Sequence, residues 1–346
     1  MGDYYEGGRV LSTMDATGKP PEIIMVSGNR TAGKTVFWSK WLVNKYKKNT
    51  NKFMLLYRFD YELDDVEEKF FKDIKGLFFE NDILTSKKKS KGLYVELFLN
   101  DNSCGYAVAI NKADTIKKIG HLFTDVDYMF FDEFQSETNH YCSNEIEKLM
   151  SIHTTVARGK NKQVRFVPLI MVSNCVSIIN PYFVAMGITG RLRADTKILR
   201  GDGFVLEQTF NESASKAQKE SGFNRAFGGG DTKYLAYSSE NVYLNDNMSF
   251  IEKPEGRAKY ICTIRCDGRD YAIKEYAESG FIYCDKKVDY TFPTKITVTT
   301  DDHNVNYVML RKNDFMIQNL RYFFEHGSFR FADLQSKDAV LKMLSY

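Results

Sequence analysis

The residues with the clearest chemical purpose are eight in a row, Gly28, Asn29, Arg30, Thr31, Ala32, Gly33, Lys34 and Thr35. They match the phosphate-binding pattern G-x-x-x-x-G-K-[ST] in full, between an apolar run typical of a strand and an amphipathic run typical of a helix. The glycines let backbone N–H groups curl around phosphates where that helix begins. Lys34 is expected to reach the β- and γ-phosphates of ATP, and the Thr35 hydroxyl to bind Mg²⁺.

Two acids follow another apolar run, residues 128–131. Asp132 is predicted to hold Mg²⁺ through water, and Glu133 to polarise the attacking water. A solvated strand end is the alternative interpretation of such a pair, but the phosphate-binding pattern favours function. A small-molecule kinase or a GTPase switch does not require this second acid, so ATP hydrolysis coupled to motion becomes the leading class.

A polar residue and a basic stretch could complete this site. Asn174 ends the next predicted strand, where it is expected to sense the γ-phosphate or else to form only a strand-ending turn. The basic stretch holds Arg158, Lys160, Lys162 and Arg165, a pattern typical of a solvated loop. An arginine in that loop could instead reach the ATP of a neighbouring subunit, an effect worth about 10³ to 10⁵ in rate.

The densest basic tract consists of Lys87, Lys88, Lys89 and Lys91. Such lysines can grip a DNA phosphate backbone without reading its sequence. A solvated loop is the alternative interpretation. The tract is therefore a candidate DNA contact.

The composition indicates a globular chain of about two domains, because 346 residues with 43% hydrophobic content can bury sizeable cores. A net charge of +3 does not by itself indicate a polyanion partner. No apolar run reaches 18 residues and no secretory signal pattern opens the chain, so neither a membrane partner nor export is expected. The six cysteines lack zinc-ligand spacing, which favours reduced thiols in a cytosol.

The pattern of residues 1–200 predicts an α/β domain with a largely parallel sheet. Strands are expected at 23–26, 53–57, 128–131 and 166–172, although Pro168 cannot donate to a sheet. Helices are expected at 35–47 and 143–157, the second capped by Ser143 and burying Ile146, Leu149 and Met150. An inserted β-hairpin with a polar turn is expected between residues 93 and 110.

The composition then shifts. Residues 201–240 are rich in Gly, Ser, Lys and Asn, which predicts a linker or mobile subdomain. Residues 241–346 predict an α+β domain, with a meander of strands at 259–265, 270–276 and 280–284 turned at Asp267-Gly268. Helices are expected at 314–325 and 333–344.

Taken together, the motifs make the chain similar to the genome-packaging ATPases of small short-tailed bacteriophages that use terminal-protein-primed DNA. The similarity extends over nearly the whole chain. It lies in the Arg-bearing phosphate loop and in residues 131–134, 155–158, 172–183, 250–253 and 299–302.

This resemblance implies a P-loop NTPase domain of the additional-strand, catalytic-glutamate class, followed by an RNase H-like domain that is a relic of a nuclease. It implies a ring, expected to be pentameric, that uses Mg-ATP to draw double-stranded DNA into an empty capsid. The partners would be the portal (connector) protein and other copies of the chain, while docking on a structural packaging RNA is left open. The place of action would be the portal vertex of the procapsid in the host-cell cytoplasm, and the chain would not remain in the mature virion.

Three basic residues take roles from the resemblance. Arg158 falls on the arginine finger that acts in trans, and Arg30 on the phosphate-loop arginine of viral packaging ATPases. A second lysine acting across the subunit interface falls on Lys117 or Lys118, and Lys118 is preferred.

Nuclease activity is not expected, because two-metal cleavage requires several acids converging on paired metal ions. Asp267 lies in a predicted turn, Asp301 and Asp302 lie near a strand end, and only Asp285 follows an apolar strand in the manner of a metal ligand. Two rivals to the packaging motor remain. One is a nucleotide-binding assembly scaffold, and the other is a different P-loop nucleic-acid motor, such as a helicase.

Overall fold

A computed structural model describes residues 4–138, 140–159, 162–189, 191–192, 196–227, 250–297, 299–311 and 313–345. The chain divides into two compact units, one of residues 1–186 with 192–245, the other of residues 187–191 with 246–346. Within the described ranges, no helix has both the length and the apolar character needed to cross a membrane.

The first unit is built on a nine-stranded sheet. Its strands are β1 (Ile23–Gly28), β2 (Lys52–Tyr57), β3 (Leu84–Lys89), β4 (Tyr94–Leu99), β5 (Asn102–Ala109), β6 (Val126–Asp132), β7 (Leu169–Asn174), β8 (Ile198–Gly201) and β9 (Phe204–Thr209). They lie in the order β3-β4-β5-β2-β6-β7-β1-β9-β8. The six strands from β5 to β9 in that order pair in parallel, whereas β3, β4 and β8 pair antiparallel at the two edges. The largely parallel α/β sheet is confirmed.

The helices of this unit are α1 (Gly8–Leu11), α2 (Lys34–Asn49), α3 (Val66–Phe78), α4 (Ala113–Ile116), α5 (Glu145–Val156), α6 (Pro181–Ala185), α7 (Glu212–Glu220) and α8 (Gly222–Phe227). From α2, Trp38 and Leu42 are fully buried in the same apolar core as Val26 of β1 and Ile170 of β7. This packing holds the start of α2 against the end of β1, where the phosphate-binding pattern lies.

Two local predictions in this unit were wrong in detail. Strand β7 begins only after Pro168, which has no N–H for the sheet although its carbonyl accepts from the Met129 backbone N–H (3.0 Å). Helix α5 begins after Asn144, not Ser143, because Asn144 takes the left-handed conformation at φ 51°. The buried residues of α5 are Glu145, Leu149, Ile152 and Val156, whereas Met150 is 63% exposed.

The predicted hairpin is present, with Asn100 and Asp101 at its turn, both with positive φ (49° and 64°). It is not an insertion, because β5 pairs in parallel with β2 and so extends the main sheet. The basic tract before it is not a loop either. Residues 84–89 form the edge strand β3, paired with β4.

The prediction of a linker beginning at residue 201 was also wrong. Strand β9 pairs in parallel with β1, and β8 pairs with β9. The apolar residues Phe204, Val205 and Leu206 are buried in β9, which explains why this segment joins the sheet despite its glycines. The later part of the predicted linker, residues 228–240, lies outside the described residues.

The second unit contains a six-stranded sheet. Its strands are β10 (Lys259–Cys266), β11 (Arg269–Tyr276), β12 (Phe281–Asp285), β13 (Lys295–Thr297), β14 (Val308–Met309) and β15 (Phe329–Phe331), in the order β14-β13-β10-β11-β12-β15. Helices α9 (Phe315–Glu325) and α10 (Leu334–Ser345) supply apolar residues to the core of this sheet. The predicted antiparallel meander and both predicted helices are confirmed.

Candidate nucleotide site

The phosphate-binding loop joins β1 to α2. Thr31 and Gly33 both adopt positive φ (58° and 87°), which bends the chain from the strand into the helix. Lys34 is only 5% exposed, and its Nζ donates to the carbonyls of Gly28 (3.2 Å) and Asn29 (2.7 Å). Burial lowers the pKa of Lys34 to about 8. A cation held in this way is ready to exchange carbonyl partners for phosphate oxygens.

The predicted metal ligands meet at the end of β6. Asp132 accepts a hydrogen bond from the Thr35 side chain and, at 2.9 Å, from the backbone N–H of Glu133. Burial raises the pKa of Asp132 to about 6. A hydroxyl beside a carboxylate is the oxygen donor set that Mg²⁺ prefers, so these two residues fit the metal.

Glu133 leaves the sheet directly after Asp132. Its φ of 54° ends the strand conformation, and its side chain is exposed. It lines a groove of about 300 Å³ together with Arg30, Asn174 and Glu137. A carboxylate in this position can accept a proton from a water molecule bound in the groove.

Asn174 is brought to the same place by the sheet register. Strand β7 ends at Asn174, which is paired with Gly28 at the end of β1. The Oδ1 of Asn174 accepts a hydrogen bond from the Nζ of Lys34 at 3.3 Å. The predicted γ-phosphate sensor and the predicted phosphate-binding lysine therefore contact one another.

The phosphate-loop arginine is tied to the loop that follows the two acids. The Nη2 of Arg30 lies 2.5 Å from the Oε1 of Glu137, with both side chains about one-third exposed. This ion pair joins the nucleotide-binding loop to the groove beside Glu133.

Sequence reasoning missed a buried ion pair that supports the backbone at Glu133 and Phe134. The Nε of Arg58 donates to both carboxylate oxygens of Glu145 (3.1 and 3.0 Å). The Nη2 of Arg58 donates to the carbonyls of Glu133 (3.3 Å) and Phe134 (2.8 Å). Glu145 also accepts from the Tyr182 hydroxyl at 2.5 Å. The two charges lie 87 positions apart in the sequence and belong to no motif, so no local signal could have found them.

Gln135 was missed for the same reason. It is 2% exposed, its Nε2 donates to Ser27 Oγ (3.3 Å), and its Oε1 accepts from the backbone N–H groups of Val176 (3.2 Å) and Ser177 (3.0 Å). One side chain thus connects the strand before the phosphate loop, the loop after the acids and the loop after Asn174.

Asn29, the first variable position of the phosphate loop, anchors that loop to the segment between β9 and α7. The Nδ2 of Asn29 donates to the Asn211 carbonyl (3.0 Å), and its Oδ1 accepts from the Asn211 backbone N–H (2.9 Å). Asn211 in turn caps α7 by accepting from the Ala214 N–H. Asn29 is 1% exposed, so its role is to fix the loop to the end of β9.

The basic stretch after α5 separates into different roles. Arg165 is 7% exposed and donates to the carbonyls of Val126 (3.0 Å) and Val156 (2.8 Å), so it is structural. Arg158 and Lys162 are exposed, whereas Lys160 lies outside the described residues. Of the two arginines, only Arg158 presents its side chain to solvent.

Lys117 and Lys118 lie in the 3₁₀ segment Lys117–Phe123, and both are exposed. This segment packs against the end of α5, since a side chain at Gly120 would meet the Thr155 Cγ2 at 2.1 Å. The exposed cations that the resemblance assigns to trans action thus lie on adjoining segments of one unit.

The lysines of the basic tract have partners within the chain. Lys88 pairs with Asp64, and Lys89 lies 3.3 Å from a Glu96 carboxylate oxygen. Lys87 lies over the Phe98 ring, and Lys91 follows in a 3₁₀ turn. Acidic neighbours therefore partly balance two of the four charges.

Three acids of the second unit, Asp285, Asp267 and Asp302, are held by partners. Asp285 accepts from the Lys274 Nζ through both oxygens (2.7 and 2.8 Å), and Asp267 pairs with Lys342 at 2.7 Å. Asp302 accepts from the Gly268 N–H and from the Thr299 hydroxyl. Across the described part of the chain, no three or more His, Cys, Asp or Glu side chains are grouped so as to hold a metal ion.

Comparisons with known proteins place this chain in a family. The family described as podovirus DNA encapsidation protein (Gp16) matches residues 5–344. A DNA packaging protein of Bacillus phage phi29 is 24% identical over 310 residues, covering 88% of each chain. The DNA packaging protein of Bacillus phage B103 is 26% identical over 314 residues, covering 88% of this chain and 91% of the relative. The solved phi29 genome packaging motor assembly contains a chain of similar fold, with a TM-score of 0.71, 22% identity and coverage of 99% and 98%.

Proposed function

The chain belongs to the podovirus DNA encapsidation protein family, and on that premise we propose that it is an ATP-hydrolysing motor that moves double-stranded viral DNA into an empty capsid. The observation that carries the proposal is the meeting of Lys34, Thr35, Asp132, Glu133 and Asn174 at the ends of three adjacent strands and the start of α2. The position of β7 between β1 and β6 supports the additional-strand class of P-loop domain.

The groups of the site divide the work of phosphoryl transfer. The loop from Gly28 to Thr35 surrounds the phosphates with backbone N–H groups, and Lys34 neutralises the β- and γ-oxygens. Thr35 and Asp132 would hold Mg²⁺, which would supply further charge neutralisation. Glu133 takes the proton of the attacking water. Asn174, which already contacts Lys34, forms a hydrogen bond with the γ-phosphate and loses that bond once the phosphate leaves.

Charge that builds on the transferred phosphoryl group needs a further cation. Lys34 is buried in its own loop, whereas the guanidinium of Arg158 is exposed after α5. We assign Arg158 to the site of a neighbouring copy, with Lys118 or Lys117 beside it. An isolated chain then hydrolyses ATP poorly and a ring hydrolyses it well.

The proposal extends to the partners and place of action. The chain acts as a ring, expected to be pentameric, on the portal protein of the procapsid in the host cytoplasm, and leaves before the virion matures. Two relatives of the chain are DNA packaging proteins of Bacillus phages, which supports this assignment. Whether the chain docks on a structural RNA is tested by measuring its binding to the isolated RNA.

The second unit is proposed to have an RNase H-like fold without nuclease activity. Its antiparallel meander β10-β11-β12 is extended by the parallel strand β13 beside β10, an order that supports this fold. The acid best placed by sequence, Asp285, is neutralised by Lys274 at 2.7 Å. This pairing supports a structural role for the carboxylate.

The deciding experiment is complementation between two inactive variants. Steady-state ATPase is measured against protein concentration, with and without duplex DNA, for the wild type, Arg158→Ala, Glu133→Gln and an equimolar mixture of the two variants. Composite sites predict low rates for each variant and recovered activity in the mixture, because some interfaces then combine an intact Glu133 with an intact Arg158.

Other outcomes would assign the chain a different function. A rate that is independent of concentration and DNA, with no recovery on mixing, indicates a self-contained nucleotide switch. If Glu133→Gln still packages DNA into procapsids, the chain is an assembly scaffold. Stronger stimulation by single-stranded than by duplex DNA indicates a helicase.

A further inference from the structure

Two exposed aromatic side chains border the phosphate-binding loop and have no part in the chemistry described so far. The ring of Tyr4 is 75% exposed and that of Phe210 is 47% exposed. Large aromatic rings are normally buried, because each removes a large apolar area from water. Rings left open beside a ligand site are candidates for contact with the ligand.

Tyr4 is fixed to the loop by its neighbour. The backbone N–H of Tyr5 donates to the Ala32 carbonyl (2.8 Å), and the Tyr5 hydroxyl donates to Glu207 of β9 (2.7 Å). A side chain added at Gly33 would place its Cβ 3.2 Å from the Tyr4 ring. The Tyr4 ring therefore lies directly against the loop residue that precedes Lys34.

Phe210 is fixed from the opposite end of the loop. It lies between Thr209, which pairs with Gly28, and Asn211, whose backbone C=O accepts from and whose N–H donates to the Asn29 side chain. Because both neighbours are bonded to the phosphate loop, the backbone of Phe210 has little freedom to move away from it.

The order of the sheet gives the direction of the nucleotide. The catalytic and sensing residues Asp132, Glu133 and Asn174 come from β6 and β7, on one side of β1, whereas β9 lies on the other side. Three strand spacings, about 14 Å in all, separate β6 from β9. A nucleoside triphosphate with its γ-phosphate at Glu133 therefore directs its base toward β9, the strand to which both Tyr5 and Phe210 are tied.

We propose that Tyr4 and Phe210 form the surface that binds the base of the nucleotide. The inference rests on the proposed function, since it takes the phosphates to lie in the loop. An aromatic ring stacks on the face of any nucleobase, so this surface binds a purine and supplies affinity without selecting adenine over guanine.

The test compares a ligand that has a base with one that lacks it. Binding of ATP, GTP and inorganic tripolyphosphate is measured by calorimetry for the wild type, Tyr4→Ala, Phe210→Ala and the double variant. Stacking on one ring is worth a factor of roughly 5 to 150 in affinity, so ATP and GTP are expected to weaken by that factor in each single variant and further in the double variant. Tripolyphosphate is expected to bind all four proteins equally.

Matched variants separate stacking from damage to the loop. Tyr4→Trp keeps a ring and should restore ATP affinity, and Tyr290→Ala removes a similarly exposed ring (67%) from the second unit and should change nothing. Equal loss of ATP and tripolyphosphate in the double variant, or unchanged ATP affinity, overturns the proposal. If the wild type binds neither ligand, the nucleotide site itself is wrong, and the proposed function fails first.

Discussion

The buried guanidinium of Arg58 and the buried carboxylate of Glu145 form an ion pair, and Arg58 also holds the backbone at Glu133, the proposed catalytic base. The Arg58 Nε lies 3.0 Å from the Glu145 Oε2, and neither side chain is more than 9% exposed. Breaking a buried pair by removing one partner typically costs about 3 to 5 kcal/mol, because the remaining charge is left uncompensated.

Arg58→Met is therefore expected to lower the free energy of unfolding by about that amount, and to slow ATP hydrolysis more than it weakens ATP binding. Its matched control is Asp64→Asn, which removes the exposed pair with Lys88 and should leave the free energy of unfolding nearly unchanged, because solvent screens that pair. Urea unfolding and steady-state ATPase are the measurements. Equal losses from both variants would contradict the assigned role of the Arg58 pair.

Substitutions of Arg165 and Arg158 are expected to affect different properties. Arg165→Ala leaves the carbonyls of Val126 and Val156 without their donor and should lower the thermal midpoint. Arg158→Ala should leave the midpoint unchanged and reduce the ATPase rate of the assembled protein by about 10³ to 10⁵. Differential scanning calorimetry beside the ATPase assay separates the two. A lowered midpoint in Arg158→Ala would show that its reduced rate reflects unfolding.

DNA binding by the basic tract can be tested lysine by lysine. Lys88 and Lys89 face Asp64 and Glu96, so we expect Lys87 and Lys91 to make the larger contribution to binding a phosphate backbone. Removing one lysine that neutralises a DNA phosphate should reduce the slope of log K against log salt by about 0.9. The double variant Lys87→Gln with Lys91→Gln should therefore change the slope for duplex DNA more than Lys88→Gln with Lys89→Gln. Identical slopes in both double variants and the wild type would remove the tract from the DNA path.

Glu207 should make stability depend on pH. Burial raises the pKa of Glu207 above its ordinary value of 4.5, so the folded state favours the protonated carboxyl. The stability that protonation contributes is fully present below about pH 4.5 and is lost as pH rises through the folded pKa. Glu207→Gln keeps an acceptor for the Tyr5 hydroxyl and should gain stability relative to the wild type as pH rises above 4.5. A constant difference across that range, in urea titrations, would contradict the assignment.

Several parts of this structure could be predicted from the sequence because their signals are local. The phosphate loop, the apolar run before Asp132 and the turn at Asp267-Gly268 each depend on residues within about ten positions of one another. The place of Asn174 beside Lys34 followed from the general rule that parallel strands end at one edge.

Other parts depend on contacts between distant residues and could not be predicted in this way. The pairing of β9 with β1 joins segments about 180 residues apart, and the glycines around it indicated a linker. The Arg58–Glu145 pair forms only between segments that are distant in the sequence. The hydrogen bonds of Gln135 likewise form only when three separate loops have come together. Ile152 rather than Met150 is buried on α5, because tertiary contacts such as the Arg58–Glu145 pair decide which face of the helix packs.

The lysines of β3 have a consequence that does not depend on DNA. Strand β3 is an outer strand of the nine-stranded sheet, and within the described ranges one row of its backbone N–H and C=O groups has no strand beside it. Such an edge is a template for uncontrolled pairing with other chains, and consecutive lysines oppose it by charge repulsion. Copies of this chain can then crowd together at high local concentration without their sheets fusing, so the contacts between them stay reversible.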